Sequence, residues 1–166
     1  VFITSDKCYE NNEWIWGYKE NDRLGGSDPY SSSKASCELL IKSYYKSFFS
    51  ENNNIKIASA RAGNVIGGGD WSEDRIIPDC MRSIFKKKRL ILRFPKSTRP
   101  WQHVLEALYG YMLLALKKKK NQKINGNVFN FGPNNQSSIR VIDLIRKIKK
   151  RWNLLKWKIF VPSKAV

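Results

Sequence analysis

Tyr30-Ser31-Ser32-Ser33-Lys34 places a phenol and an amine four residues apart. On a helix, residues at that spacing share a face. An ammonium beside a phenol favours the phenolate, so such a tyrosine can serve as a base near neutral pH. Taken alone, the spacing equally describes two partly exposed residues on a helix. A second group lies upstream, where the apolar run Val1-Phe2-Ile3 ends in Thr4-Ser5-Asp6-Lys7. Active sites of open α/β sheets form outside the carboxyl ends of strands. A hydroxyl, a carboxylate and an amine at such an end can form hydrogen bonds or exchange protons. The plainer reading is a polar loop in which the aspartate turns the chain.

Other chemistries are poorly supplied. Cys8, Cys37 and Cys80 are scattered without a CxxC pair, and His103 is the single histidine. Neither a zinc site nor a disulfide framework is expected, and the cysteines read as small core residues. His103 reads as a packing residue. The 166 residues are 42% hydrophobic and 13% aromatic, which excludes a disordered chain. No apolar run approaches the ~18 residues of a membrane span. No secretory leader is visible, so a cytoplasmic protein without a membrane partner is expected. The net charge of +17 is uneven. Residues 1–80 hold nine lysines and arginines against twelve acids, and residues 81–166 hold 22 against two. That half reads either as a polyanion-binding surface or as solvated helix ends such as Lys117–Lys120.

The elements that position these groups alternate. Val1–Ser5 reads as a buried strand, Cys8–Asp28 as a long loop, and Pro29 to Phe49 as a helix ended by Glu51–Asn54. A strand over Ile55–Ile66 is closed by Gly67-Gly68-Gly69. A helix follows over Ile77–Lys88, then a strand over Leu90–Arg93 and a loop over Pro95–Pro100. Gln102–Lys118 reads as an apolar helix and Val128–Phe131 as a strand. Ser138–Trp152 reads as an amphipathic helix and Trp157–Val161 as a last strand. Strands alternating with helices predict an α/β fold.

A strand ending in Thr4-Ser5-Asp6, the helix opened by Pro29-Tyr30-Ser31-Ser32-Ser33-Lys34, and the strand Arg61-Ala62-Gly63-Asn64-Val65-Ile66-Gly67 together resemble the extended short-chain dehydrogenase/reductase family. Thr4–Trp14, Arg61–Trp71, Asp74–Asp79 and Arg99–Glu106 are similar to the branch that dehydrates CDP-glucose. The resemblance implies the C-terminal part of a doubly wound, Rossmann-like parallel sheet with a small substrate-binding lobe. Residues 1–66 would belong to the NAD-binding domain, and residues 67–166 mainly to the lobe, with some return to the sheet. The family's glycine-rich dinucleotide fingerprint is not found here. The chain therefore reads as a fragment, expected to be inactive alone, of a homo-oligomeric enzyme.

The resemblance further implies NAD as cofactor, a nucleotide sugar such as CDP-glucose as substrate, and an internal redox dehydration serving deoxysugar and lipopolysaccharide synthesis. Tyr30 would take the 4-hydroxyl proton, Lys34 would hold the nicotinamide ribose, and Ser5 would bond the 4-oxygen. Asp6 would protonate the departing 6-hydroxyl and Lys7 would remove the C5 proton. Ala62, with Tyr30 and Lys34, would touch the cofactor. Asn64, Arg75, Arg93 and Arg99 would hold the substrate, the arginines suiting its diphosphate. An epimerase or decarboxylase of the same family is one alternative. A basic, non-enzymatic polyanion-binding module is another, although no nucleic-acid-binding signature supports it and no nucleic-acid partner is expected.

Overall fold

The computed structural model describes residues 1–51, 54–133 and 138–160. Asn52, Asn53 and Val161, read as parts of a helix end and a last strand, lie outside them. Along the chain run β1 (Phe2–Ile3), α1 (Pro29–Tyr44), β2 (Ser59–Ala62), β3 (Val65–Ile66), α2 (Ile76–Phe85), β4 (Leu90–Leu92) and β5 (Thr98–Pro100). Then come β6 (Gln102–His103), α3 (Val104–Lys120), β7 (Val128–Phe131), β8 (Ser138–Arg140), α4 (Val141–Arg151) and β9 (Trp157–Ile159). Among the described residues, no helix is long and apolar enough to cross a membrane.

The main sheet is parallel, in the order β1-β2-β7. Phe2 pairs with Ser59 and Ile3 with Ala60, as expected for Val1–Ser5 beside Ile55–Ala60, but the strand spans only these two residues and is exposed, not buried as expected. β7 returns to this sheet along β2, from Ser59 opposite Val128 to Ala62 opposite Phe131. Ala58, Ala60 and Leu114 form a buried core between sheet and α3, joined by Tyr111, Phe129 and Phe131. A second core of Cys80, Leu90, Leu92, Ile145 and Leu155 lies between α2, α4 and the parallel pair β4–β9. The two faces that fill it, on α2 and α4, follow the helical period of their apolar residues.

Six further readings need correction. Ile55–Ile66 is not one strand: β2 stops at Ala62, the chain bends at Gly63-Asn64, and β3 pairs with β6 instead. A side chain at Gly63 would sit 2.8 Å from Pro100 Cγ, so only glycine lets these two segments close up. Pro95–Pro100 is not all loop, because β5 pairs antiparallel with β8, some 40 residues on. That pairing also takes Ser138–Arg140 out of the expected helix, and β6 takes Gln102 and His103 out of another. His103 instead caps α3, its Nδ1 accepting from the Leu105 amide at 3.2 Å. Of the cysteines, Cys8 and Cys80 are buried, but Cys37 is exposed on α1.

α1 begins where the sequence places it. Asp28 caps it, accepting from the Ser31 amide at 3.0 Å, and Pro29 fills the first turn, where no N–H is needed. Its attachment to the sheet is ionic. Glu38, on α1, and Arg61, on β2, pair at 3.0 Å with side chains only 1% and 3% exposed. Arg61 also donates to the Tyr9 hydroxyl at 2.8 Å and to the Glu20 carbonyl at 3.1 Å. Thr4, at the end of β1, donates to the second Glu38 oxygen. Tyr9 in turn donates to Asn130 on β7 at 2.7 Å. Burial opposes the guanidinium charge, yet the bonds from Glu38 and Tyr9 more than offset it and raise the Arg61 pKa.

Removing one partner strands the other's charge in the interior. Glu38→Leu is therefore expected to lower unfolding stability by about 3–5 kcal/mol in urea titrations. Arg23→Ala, which breaks the exposed Arg23–Glu10 pair, should cost no more than about 1 kcal/mol. Equal losses would contradict a special role for the buried pair.

Candidate active site

β1 ends in a single 3₁₀ turn, Asp6–Cys8, capped by Ser5. The nearly buried Ser5 hydroxyl accepts from the Lys7 amide at 3.2 Å and donates to Asp6 Oδ1 at 3.1 Å. The turn thus presents a hydroxyl and a carboxyl already bonded to each other, with Lys7 on its exposed side. Burial raises the Asp6 pKa, offset only in part by the Ser5 hydroxyl and by the charges of Lys7 and Arg99.

α1 packs directly against this turn. Tyr30 and Lys34 lie on its first two turns, with Lys34 Nζ 5.6 Å from the centre of the Tyr30 ring. Tyr30 is 55% exposed. The Ser31 hydroxyl and amide hold Asp28 below the usual carboxylate range, with Lys7 adding a smaller pull. The turn and the start of α1 therefore share one electrostatic neighbourhood.

A cleft of about 480 Å³ opens beyond β3. Asn64, Arg75 and Arg99 line it, together with Trp71, Asp74 and Trp101. Gly63, next to the lining residue Asn64, approaches the turn: a Cβ there would lie 2.8 Å from Pro100 and 3.4 Å from Asp6 Oδ2. Three of the four expected substrate residues thus come together. Arg93 stands off the cleft wall and reaches it only through Asp74, Nη2 to Oδ1 at 2.6 Å. Ala62 ends β2 opposite Phe131.

Sequence reading missed Glu38, Tyr9 and Asn130, which fix α1 to the sheet, and Trp71 and Asp74 in the cleft. Glu38 had a visible signal, since it continues the helical face of Tyr30 and Lys34 at a further four-residue step. Asp74 had none. Its backbone is left-handed, with φ of 59°, and its partner Arg93 lies on another element. Among the described residues, no group of histidine, cysteine and acids could hold a metal.

This arrangement offers an acid, an amine and a phenol near a cleft lined by two arginines and two aspartates, at the carboxyl end of a parallel sheet. In α/β folds, ligands bind at such a place, outside the carboxyl ends of the strands. Residues 1–132 match the family described as the NAD dependent epimerase/dehydratase family, and the chain belongs to it. It is 47% identical over 156 residues to a CDP-glucose 4,6-dehydratase of Salmonella typhimurium, covering 92% of this chain and 44% of that one. The chain thus spans less than half the length of that relative. Its fold matches a UDP-glucuronic acid 4-epimerase from Bacillus cereus, solved with UDP-glucuronic acid and NAD, with TM-score 0.80 and 22% identity over 96% of this chain and 47% of that one. It also matches a dTDP-glucose 4,6-dehydratase from Bacillus anthracis, solved with NAD, with TM-score 0.73 and 21% identity over 95% and 48%. The expected α/β fold, with its parallel sheet, is therefore the one found.

A carboxyl that holds its proton more tightly when folded stabilises the fold while protonated. That stabilisation is lost as the pH rises through the raised pKa. Asp6→Asn is uncharged throughout and keeps a partner for Ser5. It should melt above the parent near pH 7, with the gap closing below about pH 4, by calorimetric melting at both values. Equal gaps at the two pH values would contradict a raised Asp6 pKa.

Proposed function

We propose that these residues form the catalytic and substrate-binding parts of an NAD-dependent nucleotide-sugar 4,6-dehydratase acting on CDP-glucose. The observation that carries the reading is the junction at Gly63. There Asp6 Oδ2 and Pro100 both approach Gly63, which places the Ser5-Asp6 turn beside Asn64 and Arg99 of the cleft lining. The Salmonella relative supports the choice of substrate.

The half-exposed Tyr30 with Lys34 beside it suits a cofactor's nicotinamide ribose, and these two residues, with Ala62 nearby on β2, would hold that end of NAD. Bound there, NAD supplies a reversible store for the hydride of the sugar. The chain's own residues move the protons. Tyr30 accepts the proton of the 4-hydroxyl, and the Ser5 hydroxyl bonds the oxygen that becomes a ketone. The ketone acidifies the C5 hydrogen, which Lys7 removes. Asp6, whose burial keeps it protonated to higher pH, gives its proton to the departing 6-hydroxyl, which leaves as water. Asn64, Arg75 and Arg99 hold the nucleotide sugar, and Arg93 acts through Asp74. A 4-epimerase needs no acid at C6, and the Asp6 turn favours dehydration over that alternative. Exposed Leu39, Leu40, Tyr44 and Phe48 on and just after α1 support self-association of the enzyme.

Turnover is tested in a hybrid in which this chain replaces the matching segment of the Salmonella relative, given NAD and CDP-glucose in D₂O. The expected product is a 4-keto-6-deoxy sugar carrying deuterium at C5. Tyr30→Phe should form no ketone. Lys7→Met should still form the 4-ketone, with C5 exchange slowed roughly 10²–10⁴-fold. Unchanged exchange would remove Lys7 from the base role. A C4-inverted sugar formed without loss of water would overturn the dehydratase reading.

A further inference from the structure

The cleft has one wall that the proton chemistry and the diphosphate leave unused. Trp71 is 57% exposed in the cleft, and its ring stands 6.3 Å from that of the similarly exposed Phe85. Trp71 and Phe85 are contiguous in the cleft, and contiguous exposed apolar surface in a cleft marks a ligand-binding groove. Nor is Trp71 loosely held. Arg82, paired with Asp79 on α2, donates to the Trp71 carbonyl at 2.5 Å and to the Ser72 carbonyl at 2.9 Å. Asp70 accepts from the Ser72 amide at 2.9 Å. The loop is clamped on both sides of the indole before any ligand arrives.

Asp74 lies on the same wall. Its Oδ1 is held by Arg93, and among the described residues its Oδ2 has no partner. Its left-handed backbone, φ 59°, is a conformation that aspartate tolerates better than most residues and that sets the side chain's position at the rim. The nearest cations to consider are Arg75, 3.8 Å from Asp70, and Arg93 itself.

We propose that the Trp71 loop is the nucleobase platform of this cleft, and that Asp74 selects cytosine over uracil. The inference rests on the nucleotide-sugar reading and extends it to the base. Any base can stack on the indole face, because every base has a π-face. Discrimination then falls to the edge. Cytosine presents an amine at the position where uracil and thymine present a carbonyl oxygen. A carboxylate accepts from the amine but repels the oxygen. Asp74 Oδ2 supplies that acceptor, and Arg93 holds the exposed carboxylate by its other oxygen. This gives Arg93 a role at one remove from the substrate.

Calorimetry on the full chain, with CDP, UDP and inorganic pyrophosphate as probes, tests the idea. CDP should bind at least roughly tenfold more tightly than UDP. Trp71→Ala should weaken both nucleotides roughly tenfold and leave pyrophosphate unchanged. Trp71→Phe keeps a stacking face and should retain CDP affinity within about threefold. Asp74→Asn, whose amide can either donate or accept, should bring the CDP and UDP affinities together without altering pyrophosphate. Arg99→Gln should weaken all three probes. The platform is overturned if CDP and UDP bind the parent equally. It is also overturned if the Trp71 and Asp74 variants move pyrophosphate as much as CDP, or move nothing while Arg99→Gln weakens every probe. In that last case the nucleotide-sugar reading stands. If neither CDP nor pyrophosphate binds the parent, that reading falls and the platform falls with it.

Discussion

The setting of the Ser5-Asp6 turn depends on one buried ion pair, Glu38 with Arg61. Two charges withdrawn from water are costly, and their attraction repays that cost only when the remaining donors and acceptors are also met. Here most are. Arg61 reaches Glu38, the Tyr9 hydroxyl and the Glu20 carbonyl, and its guanidinium lies over the Tyr9 ring at 4.8 Å. Among the described residues, its Nε has no hydrogen-bond partner. Glu38 uses its second oxygen for Thr4, the residue before Ser5. One pair thereby sets β1, α1, β2 and the long loop in a single register. A hydrophobic contact in the same place would tolerate sliding, whereas directed bonds to a fixed guanidinium do not.

That register is what gives the site its shape. The loop over residues 8–28 is pinned to the sheet by the Tyr9–Asn130 bond, by Asn130 donating to the Tyr18 carbonyl at 3.0 Å, and by stacked Tyr9 and Tyr18 rings. With the loop held, α1 can pack on the Asp6–Cys8 turn, and the groups on both are brought to one end of the sheet. The cleft is assembled separately, on the core between α2 and α4, and the two units join where glycine removes the side chain at position 63. The proposed division between proton transfer at the turn and ligand grip in the cleft follows this separate assembly.

How much of this can be read along the chain depends on how local its cause is. α1 is legible because its start lies in adjacent residues, Asp28 as cap and Pro29 in the first turn. β7 is legible because Gly132-Pro133 stops a short apolar run. The break at Gly63-Asn64 is not, since an apolar run says nothing about which sheet its two halves will join. β5 pairs with a strand some 40 residues on, and Pro100 hides it further. In the site, the resemblance points to Ser5, Asp6 and Tyr30 because their motifs are contiguous. The Glu38–Arg61 pair spans 23 positions and is visible only once folded. The charge excess is likewise partly local. Of the two acids after residue 80, Asp143 pairs with both Arg140 and Arg146, and many of the remaining cations face solvent.

The central claim is that the Ser5-Asp6 turn, the Tyr30–Lys34 helix and the arginine-lined cleft serve one bound molecule. A crystal structure of the protein with CDP-glucose tests this most directly. The diphosphate is expected on Arg75 and Arg99, with the glucose 4-hydroxyl within hydrogen-bond reach, about 2.6–3.2 Å, of the Tyr30 and Ser5 hydroxyls. A ligand seated in the cleft with its sugar turned away from Tyr30, or bound elsewhere on the basic half, would contradict the account.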